Sequence, residues 1–328
     1  MAAADQIKSL INSFAEGDEA RFYATAMQIA ASEARSGHVV LAEELKKLID
    51  TAKEKSHKIR SFSIVKALPV NAAQKELNDL LELSHPHEKL KEMVLISELQ
   101  KKITRVLDEH KKIEVLRQNN LFPRKKLLFT GPPGCGKTMS ARVLASELSV
   151  PLFIIKLDGL ISRYMGESIA KLKLIFDSMQ QFRAVYFFDE FDSIGTTRNQ
   201  ANDVGEIKRV LNTFLLQIEK DNSNSLIIAA TNMPETLDQA LFRRFDDIIT
   251  FPLPDKEEIL KLYKKELIDF KLSKKFDFNH IAKESVGLSY ADVHRICEDM
   301  FKDFLVYGAE EVSESRLISY AHNRKKPF

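Results

Sequence analysis

Apolar residues recur with two different periods along this chain, and the change of period divides it. Ile7, Leu10, Ile11 and Phe14 follow the i, i+3, i+4, i+7 spacing of a helix face, and Gly17 breaks the run. Asp18 is placed to cap a second helix with Phe22, Ala26, Ile29 and Ala30 on one side. Gly37 ends that helix, and Leu41, Leu45, Leu48 and Ile49 mark a third. A helical unit as small as residues 1–52 buries little surface alone, which suits a docking module. Residues 53–85 lose periodicity and read as a linker with Pro69 as a boundary. A long helical pattern then covers 86–120, with Leu99, Ile103, Val106 and Leu107 on one face.

From Lys126 the pattern changes to short apolar runs at 126–130, 152–156, 184–188, 226–230 and 247–251, separated by helical stretches. That alternation predicts an α/β fold, a parallel sheet covered by helices on both faces, over 86–252. The segment Pro252-Leu-Pro-Asp255 closes it, and a small helical domain follows over 253–328. In that domain Ile259, Leu260, Tyr263 and Leu267 share one helix. A second helix is capped by Ser289 with Asp292 three positions on, and it carries Val293, Ile296, Cys297, Met300, Phe301 and Phe304.

Composition narrows the setting. The chain has 328 residues, enough for two or three domains. A net charge of +2 gives no strong pull toward nucleic acid or anionic membrane. The basic residues of 86–126 interleave with Glu92, Glu98, Asp108, Glu109 and Glu114, as on a solvated face. Two cysteines, Cys135 and Cys297, are too few for a disulfide framework. No apolar run is long enough to span a membrane and no secretory signal is visible, so the expected location is cytoplasmic.

The chemistry begins where the first apolar strand, Lys126-Leu-Leu-Phe-Thr130, runs into a glycine-rich turn ending in Lys-Thr. This is G-x-x-x-x-G-K-[ST], the phosphate-binding P-loop, in its strand–loop–helix setting. Gly131, Gly134 and Gly136 permit backbone angles that bring N–H groups onto phosphate oxygens, at the positive end of the next helix. Pro132, Pro133, Cys135 and Met139 complete the expected cradle, and Cys135 fills an unspecified position with no catalytic role. Lys137 is placed to reach the β- and γ-phosphates, and the Thr138 hydroxyl to bind Mg²⁺.

The run Ala184-Val-Tyr-Phe-Phe-Asp-Glu190 delivers two adjacent carboxylates at a strand end. Asp189 suits a Mg²⁺ site and Glu190 a general base for the attacking water. The next strand ends at Asn232, whose amide can reach between the γ-phosphate and that water, although Thr-Asn also commonly begins a turn. Arg243 and Arg244 follow in Asp238-Gln-Ala-Leu-Phe-Arg-Arg-Phe-Asp246. An arginine presented to a transferring phosphoryl group accelerates hydrolysis strongly, but spacing does not say whose nucleotide it serves.

The P-loop, Asp189-Glu190, Asn232 and the Arg243-Arg244-Phe245-Asp246 block occur in the order and spacing of the AAA (AAA+) ATPases, and the resemblance runs from about 88 to 310. It implies ATP as substrate, Asn232 as the sensor aligning the lytic water, and Arg243 and Arg244 as arginine fingers completing the neighbouring subunit's site. It implies a homo-oligomeric ring, usually a hexamer, with the C-terminal helices as a lid over the adenine. The segment Leu160-Ile-Ser-Arg-Tyr-Met-Gly-Glu-Ser168 resembles the family's first pore loop, with Tyr164, Met165 and Gly166 at the substrate-gripping positions. An aromatic ring beside a flexible thioether suits non-directional contact with diverse peptide. Gly195 to Glu206 corresponds to the second pore loop.

The sequence departs from the family at three places. Tyr290 replaces the second glycine of Gly-x-Ser-Gly-Ala-Asp, which puts close backbone approach to the nucleotide at that point in doubt. Tyr263 stands where many relatives carry a histidine near the adenine; base stacking and lid core fit it equally. The two arginines are adjacent, without the usual Pro-Gly between them, as in the katanin and spastin group.

The leading expectation is therefore a ring ATPase that unfolds, translocates or remodels a protein substrate, with the N-terminal module choosing an adaptor, partner or separately encoded protease. No protease motif occurs in the chain itself. A DNA-directed motor would require a basic pore or appended DNA-binding element. A slow nucleotide-dependent scaffold is the third possibility, and GTP is not excluded by the motifs alone.

Overall fold

The computed structural model describes residues 19–35, 38, 41–49, 80–155, 157–160, 167–195, 204–273, 276–308 and 311–325. The chain divides into two compact units, Met1–Asn71 and Ala72–Phe328. The first contains a helix over Glu19–Arg35 and another over 41–49, with Ala30 and Ile49 buried. Both match the expected second and third helices. The expected first helix, at Ile7–Phe14, lies outside the described residues.

The second unit is built on a six-stranded sheet: β1 (Leu81–Ser84), β2 (Lys126–Thr130), β3 (Leu152–Ile155), β4 (Val185–Phe188), β5 (Leu226–Thr231) and β6 (Asp247–Thr250). The spatial order is β1-β3-β4-β5-β2-β6, and every pairing is parallel except β1 with β3. Five strands sit where the apolar runs predict them. The sixth, β1, falls inside the 53–85 stretch read as linker. Its register, Leu81 opposite Ile155 and Leu83 opposite Phe153, adds Leu81 and Leu83 to the core and covers what would be an open β3 edge.

Strand residues alternate between two cores, as pleating requires. Leu127, Phe129, Val185, Phe187 and Ile228 face α1 (Ser97–Lys111) and α2 (Lys137–Glu147), meeting Leu99, Ile103, Val106 and Leu144. Leu128, Tyr186, Phe188 and Ile227 face α3 (Glu167–Gln181) and α4 (Val204–Lys220). There Phe214 packs against Phe176, Phe188 and Phe191 at ring separations of 5.7, 5.1 and 4.8 Å. Each such buried ring contributes roughly 1.5–3 kcal/mol from area alone. The helical pattern over 86–120 resolves into α1 and a short helix at Ile113–Gln118, preceded by a 3-10 turn at Leu90–Glu92.

The C-terminal helices α5 (Lys256–Glu266), α6 (Phe278–Glu284), α7 (Tyr290–Tyr307) and α8 (Glu314–Lys325) close around their own core, with Ile259, Tyr263, Ile281, Val293, Ile296 and Leu317 fully buried. Asp255 caps α5, and Ser289 and Asp292 form the expected capping box on α7.

Candidate active site

The P-loop owes its shape to what surrounds its glycines. Gly131 has φ 139°, and a Cβ there would lie 2.1 Å from the carbonyl oxygen of Phe251. Gly134 has φ 73°, and a Cβ would lie 2.5 Å from Ser289 Oγ and 3.0 Å from Ala291 Cβ. Gly136, left-handed at φ 95°, is the N-cap of α2. The loop is therefore wedged between β6 and the start of α7, and Ala291 N–H donates to Gly134 O at 3.1 Å. The backbone of α7 thus meets the P-loop at Ala291, the residue after Tyr290.

Lys137 is only 6 % exposed. Its Nζ donates to Gly131 O at 2.6 Å, Pro132 O at 2.9 Å and Asn232 Oδ1 at 2.7 Å. Burial pulls its pKa below the usual lysine value, and the nearby carboxylates Asp189 and Asp192 work against that shift. Thr138 Oγ1 donates to Asp189 Oδ2 at 3.1 Å, while Asp189 Oδ1 accepts the Glu190 N–H at 2.9 Å. Glu190 itself is exposed and has φ 49°, in the left-handed region that a side chain ordinarily avoids. Cys135 is buried, and burial raises its thiol pKa.

Lys137, Thr138, Asp189, Glu190 and Asn232 thus meet in one cleft of about 610 Å³, lined on its other side by Leu262, Glu266, Tyr290 and His294 of the helical domain. Grooves of about 650 and 680 Å³ lie along α1 and beneath the N-terminal edge of the sheet, but neither contains a P-loop residue. Volume alone does not mark the site; the converging polar groups do. The hydroxyl of Thr138 beside the carboxylate of Asp189 is the hard-oxygen donor set that Mg²⁺ takes, and the cleft has room for a nucleoside triphosphate. Among the described residues no cluster of three or more His, Cys, Asp or Glu could hold a metal by itself.

Three expected residues fall elsewhere or gain definition. Arg243 and Arg244 do not line the cleft. They precede β6, whose register pairs Leu127 with Asp247 and Thr130 with Thr250, so they enter at the end of the sheet opposite the P-loop. Arg244 is ion-paired with Glu219 near the end of α4, an approach of opposite charges rather than a directed hydrogen bond. Tyr263 is fully buried with its hydroxyl 2.9 Å from Ser285 Oγ, so of the two readings it takes the lid core. Tyr164, Met165 and Gly166 lie outside the described residues, as does most of 195–206.

The pattern along the chain gave no sign of Met93, Val94 and Leu95, which line the cleft as an irregular segment before α1. His294 was findable: it follows Tyr290 by one helical turn and so shares its face. Its Nδ1 lies 3.1 Å from Glu266 Oε2.

With this geometry in hand, the relatives are informative. Residues 127–253 match the ATPase family associated with various cellular activities (AAA). An uncharacterized AAA family ATPase, y4kL, of Sinorhizobium fredii (strain NBRC 101917 / NGR234) is 32% identical over 315 residues, covering 96% of this chain and 93% of its own length. The crystal structure of the FIGL-1 AAA domain superposes with a TM-score of 0.62 at 22% identity, over 79% of this chain and 91% of that one, a likeness of fold. The chain belongs to the AAA ATPase family, and it is an ATP hydrolase. Among the described residues no helix is long and apolar enough to cross a membrane.

Proposed function

We propose that this chain is a subunit of a homo-oligomeric ring, hexameric by resemblance, that uses ATP hydrolysis to unfold, translocate or remodel a protein substrate. The observation that carries the ring is the placement of Arg243 and Arg244. β6 alone spans about 10 Å between their end of the sheet and the P-loop end. Side chains so placed suit a neighbouring subunit's nucleotide better than their own.

Within one site, Lys137 exchanges its loop carbonyls for the β- and γ-phosphate oxygens. Thr138 and Asp189 would hold Mg²⁺, which neutralises charge on those oxygens. Glu190 takes the proton of the attacking water as its oxygen bonds the γ-phosphorus and the bond to the β,γ-bridging oxygen breaks. Asn232 aligns that water. Gly131, Pro132, Pro133, Gly134, Cys135, Gly136 and Met139 form the surrounding cradle, with the helices of 253–328 as its lid.

The protein-directed part of the reading rests on Tyr164, Met165 and Gly166 in sequence. The low net charge disfavours the DNA-directed alternative. Residues 1–52 serve as the docking module for an adaptor, substrate or protease partner. Two free buried thiols suit a reducing, cytoplasmic setting.

Glu190→Gln is expected to abolish turnover while retaining ATP. Mixing Arg244→Ala with Lys137→Ala subunits should restore some activity in shared sites; no recovery in mixed rings that demonstrably form refutes action across an interface. Tyr164→Ala should hydrolyse ATP yet fail to remodel protein. Turnover stimulated by DNA and by no unfolded protein would replace this reading with the DNA-directed one.

A further inference from the structure

Two residues beyond Glu190 stands a third carboxylate, Asp192, at the start of the single-turn helix Asp192–Gly195. The β4–β5 ladder ends at Phe188 opposite Ala229, two residues before β5 itself stops. Beyond that point the connection is made differently. Phe191 N–H donates to Ala230 O at 2.8 Å. Asp192 Oδ1 then accepts both the Thr231 hydroxyl at 3.0 Å and the Asn232 backbone N–H at 3.3 Å. The Thr231 hydroxyl oxygen in turn accepts Met233 N–H at 3.0 Å.

Asn232 stands one residue past its strand and is exposed to the cleft, where a side-chain amide would otherwise sample several orientations. Its backbone is instead tied to the segment that bears Glu190. Its Oδ1 meets Lys137 Nζ at 2.7 Å, which leaves Nδ2 as the amide group for the attacking water. A carboxylate is suited to this task because it can accept two donors on one oxygen, and charge-assisted hydrogen bonds are the stronger ones.

We propose that Asp192 is a positioning residue for hydrolysis: by holding Thr231 and the Asn232 backbone it fixes the distance between the general base Glu190 and the water-aligning amide of Asn232. This rests on the role proposed for Asn232 above. Asp192 does not line the cleft; it acts through Asn232.

The test compares Asp192→Ala, Asp192→Asn, Thr231→Val, Asn232→Ala and the Asp192→Ala/Asn232→Ala pair in the full chain. Steady-state ATP turnover and the affinity for a non-hydrolysable ATP analogue are measured on the same samples. Asp192→Ala is expected to lower kcat about ten- to a hundredfold, the worth of a charge-assisted hydrogen bond lost in the transition state, with analogue affinity within about threefold. Asp192→Asn, which keeps an acceptor oxygen without the charge, should recover part of the loss. The double variant should turn over no more slowly than Asn232→Ala alone.

Wild-type kcat for Asp192→Ala, additive losses in the double variant, or a loss of analogue affinity equal to the loss of kcat would each overturn the proposal. So would an Asp192→Asn defect as deep as that of Asp192→Ala, which would make the charge near Lys137 the operative feature. If Asp192→Ala does not fold, Thr231→Val removes one of the two ties with little change of volume while the Asn232 N–H bond remains; kcat lowered by at least a few-fold is expected there, and wild-type kcat overturns the proposal. Wild-type turnover by Asn232→Ala would instead remove the role of Asn232, and this inference with it.

Discussion

Gly134→Ala tests whether the P-loop and the helical domain act as one interlocked unit. A methyl at Gly134 would sit 2.5 Å from Ser289 Oγ and 3.0 Å from Ala291 Cβ, so relief needs a shift of nearly an ångström. Ser289 cannot simply rotate aside, because its hydroxyl donates to Asp292 Oδ2 at 2.7 Å and accepts Asp292 N–H at 3.2 Å as the cap of α7. The helix would instead retreat and stretch the Ala291 N–H to Gly134 O bond, now 3.1 Å, beyond useful length. Losing that bond costs about 1 kcal/mol. Holding alanine at φ 73° adds about 1–2 kcal/mol. If nucleotide binds only the interlocked arrangement, the sum of about 2–3 kcal/mol weakens affinity by roughly 30- to 150-fold. Gly287→Ala is the control: φ is 94° but nothing lies within 4 Å, so it carries strain without a clash. Calorimetric titration with a non-hydrolysable ATP analogue should find Gly134→Ala strongly weakened and Gly287→Ala close to wild type in affinity, though lower in Tm. Equal affinities for the two variants, or wild-type affinity for Gly134→Ala, would refute the interlock.

Other outcomes follow from single features. A chain begun at residue 72 keeps β1 and should fold and bind nucleotide; one begun at 86 loses β1, bares the β3 edge and should aggregate, as size-exclusion chromatography would report. Tyr263→Phe leaves the fully buried Ser285 hydroxyl without its partner, costing about 1–3 kcal/mol in denaturant unfolding without altering preference for ATP over GTP. Asp221→Asn breaks the ion pair of a carboxylate with no exposed side-chain surface to Lys125, 3.1 Å away; Lys125 keeps the Asp221 and Ser223 carbonyl acceptors, so the loss should be about 1–3 kcal/mol in the same assay. Cys135 and Cys297 are both buried with thiol pKa values raised by that burial, so a thiol reagent at pH 8 should label them slowly until the chain is unfolded.

What could be read in advance was what repeats or what carries a fixed spacing. The inner parallel strands β2 to β5 announced themselves because they are buried on both faces and therefore almost wholly apolar, whereas the edge strand β6, Asp-Ile-Ile-Thr, shows only through Ile248 and Ile249. β1 did not, since Leu-Glu-Leu-Ser is half-exposed, only four residues long and embedded in an aperiodic stretch. The P-loop, Asp189-Glu190 and Asn232 converge because each stands at the C-terminal end of a parallel strand, a relation that spacing transmits. Met93–Leu95 line the same cleft from an irregular segment, and irregular backbone leaves no period to detect. Tyr263 shows the limit of position alone: helical spacing fitted base contact or core, and only the Ser285 hydrogen bond decided between them. The separation of Arg244 from the P-loop needed the β2–β6 register, which no local pattern encodes.

The left-handed backbone of Glu190 has a consequence for how this enzyme trades robustness against activity. Glycine and asparagine adopt φ 49° with less strain than glutamate does, so the position is occupied by a residue that the backbone does not favour. A Glu190→Gly chain, dead as a hydrolase on the reading above, should resist heat better than the active one, by an amount on the order of 1 kcal/mol. Selection for sturdiness alone would thus erode the site, and inactive relatives with glycine or asparagine at this position would be the expected fossils of that drift.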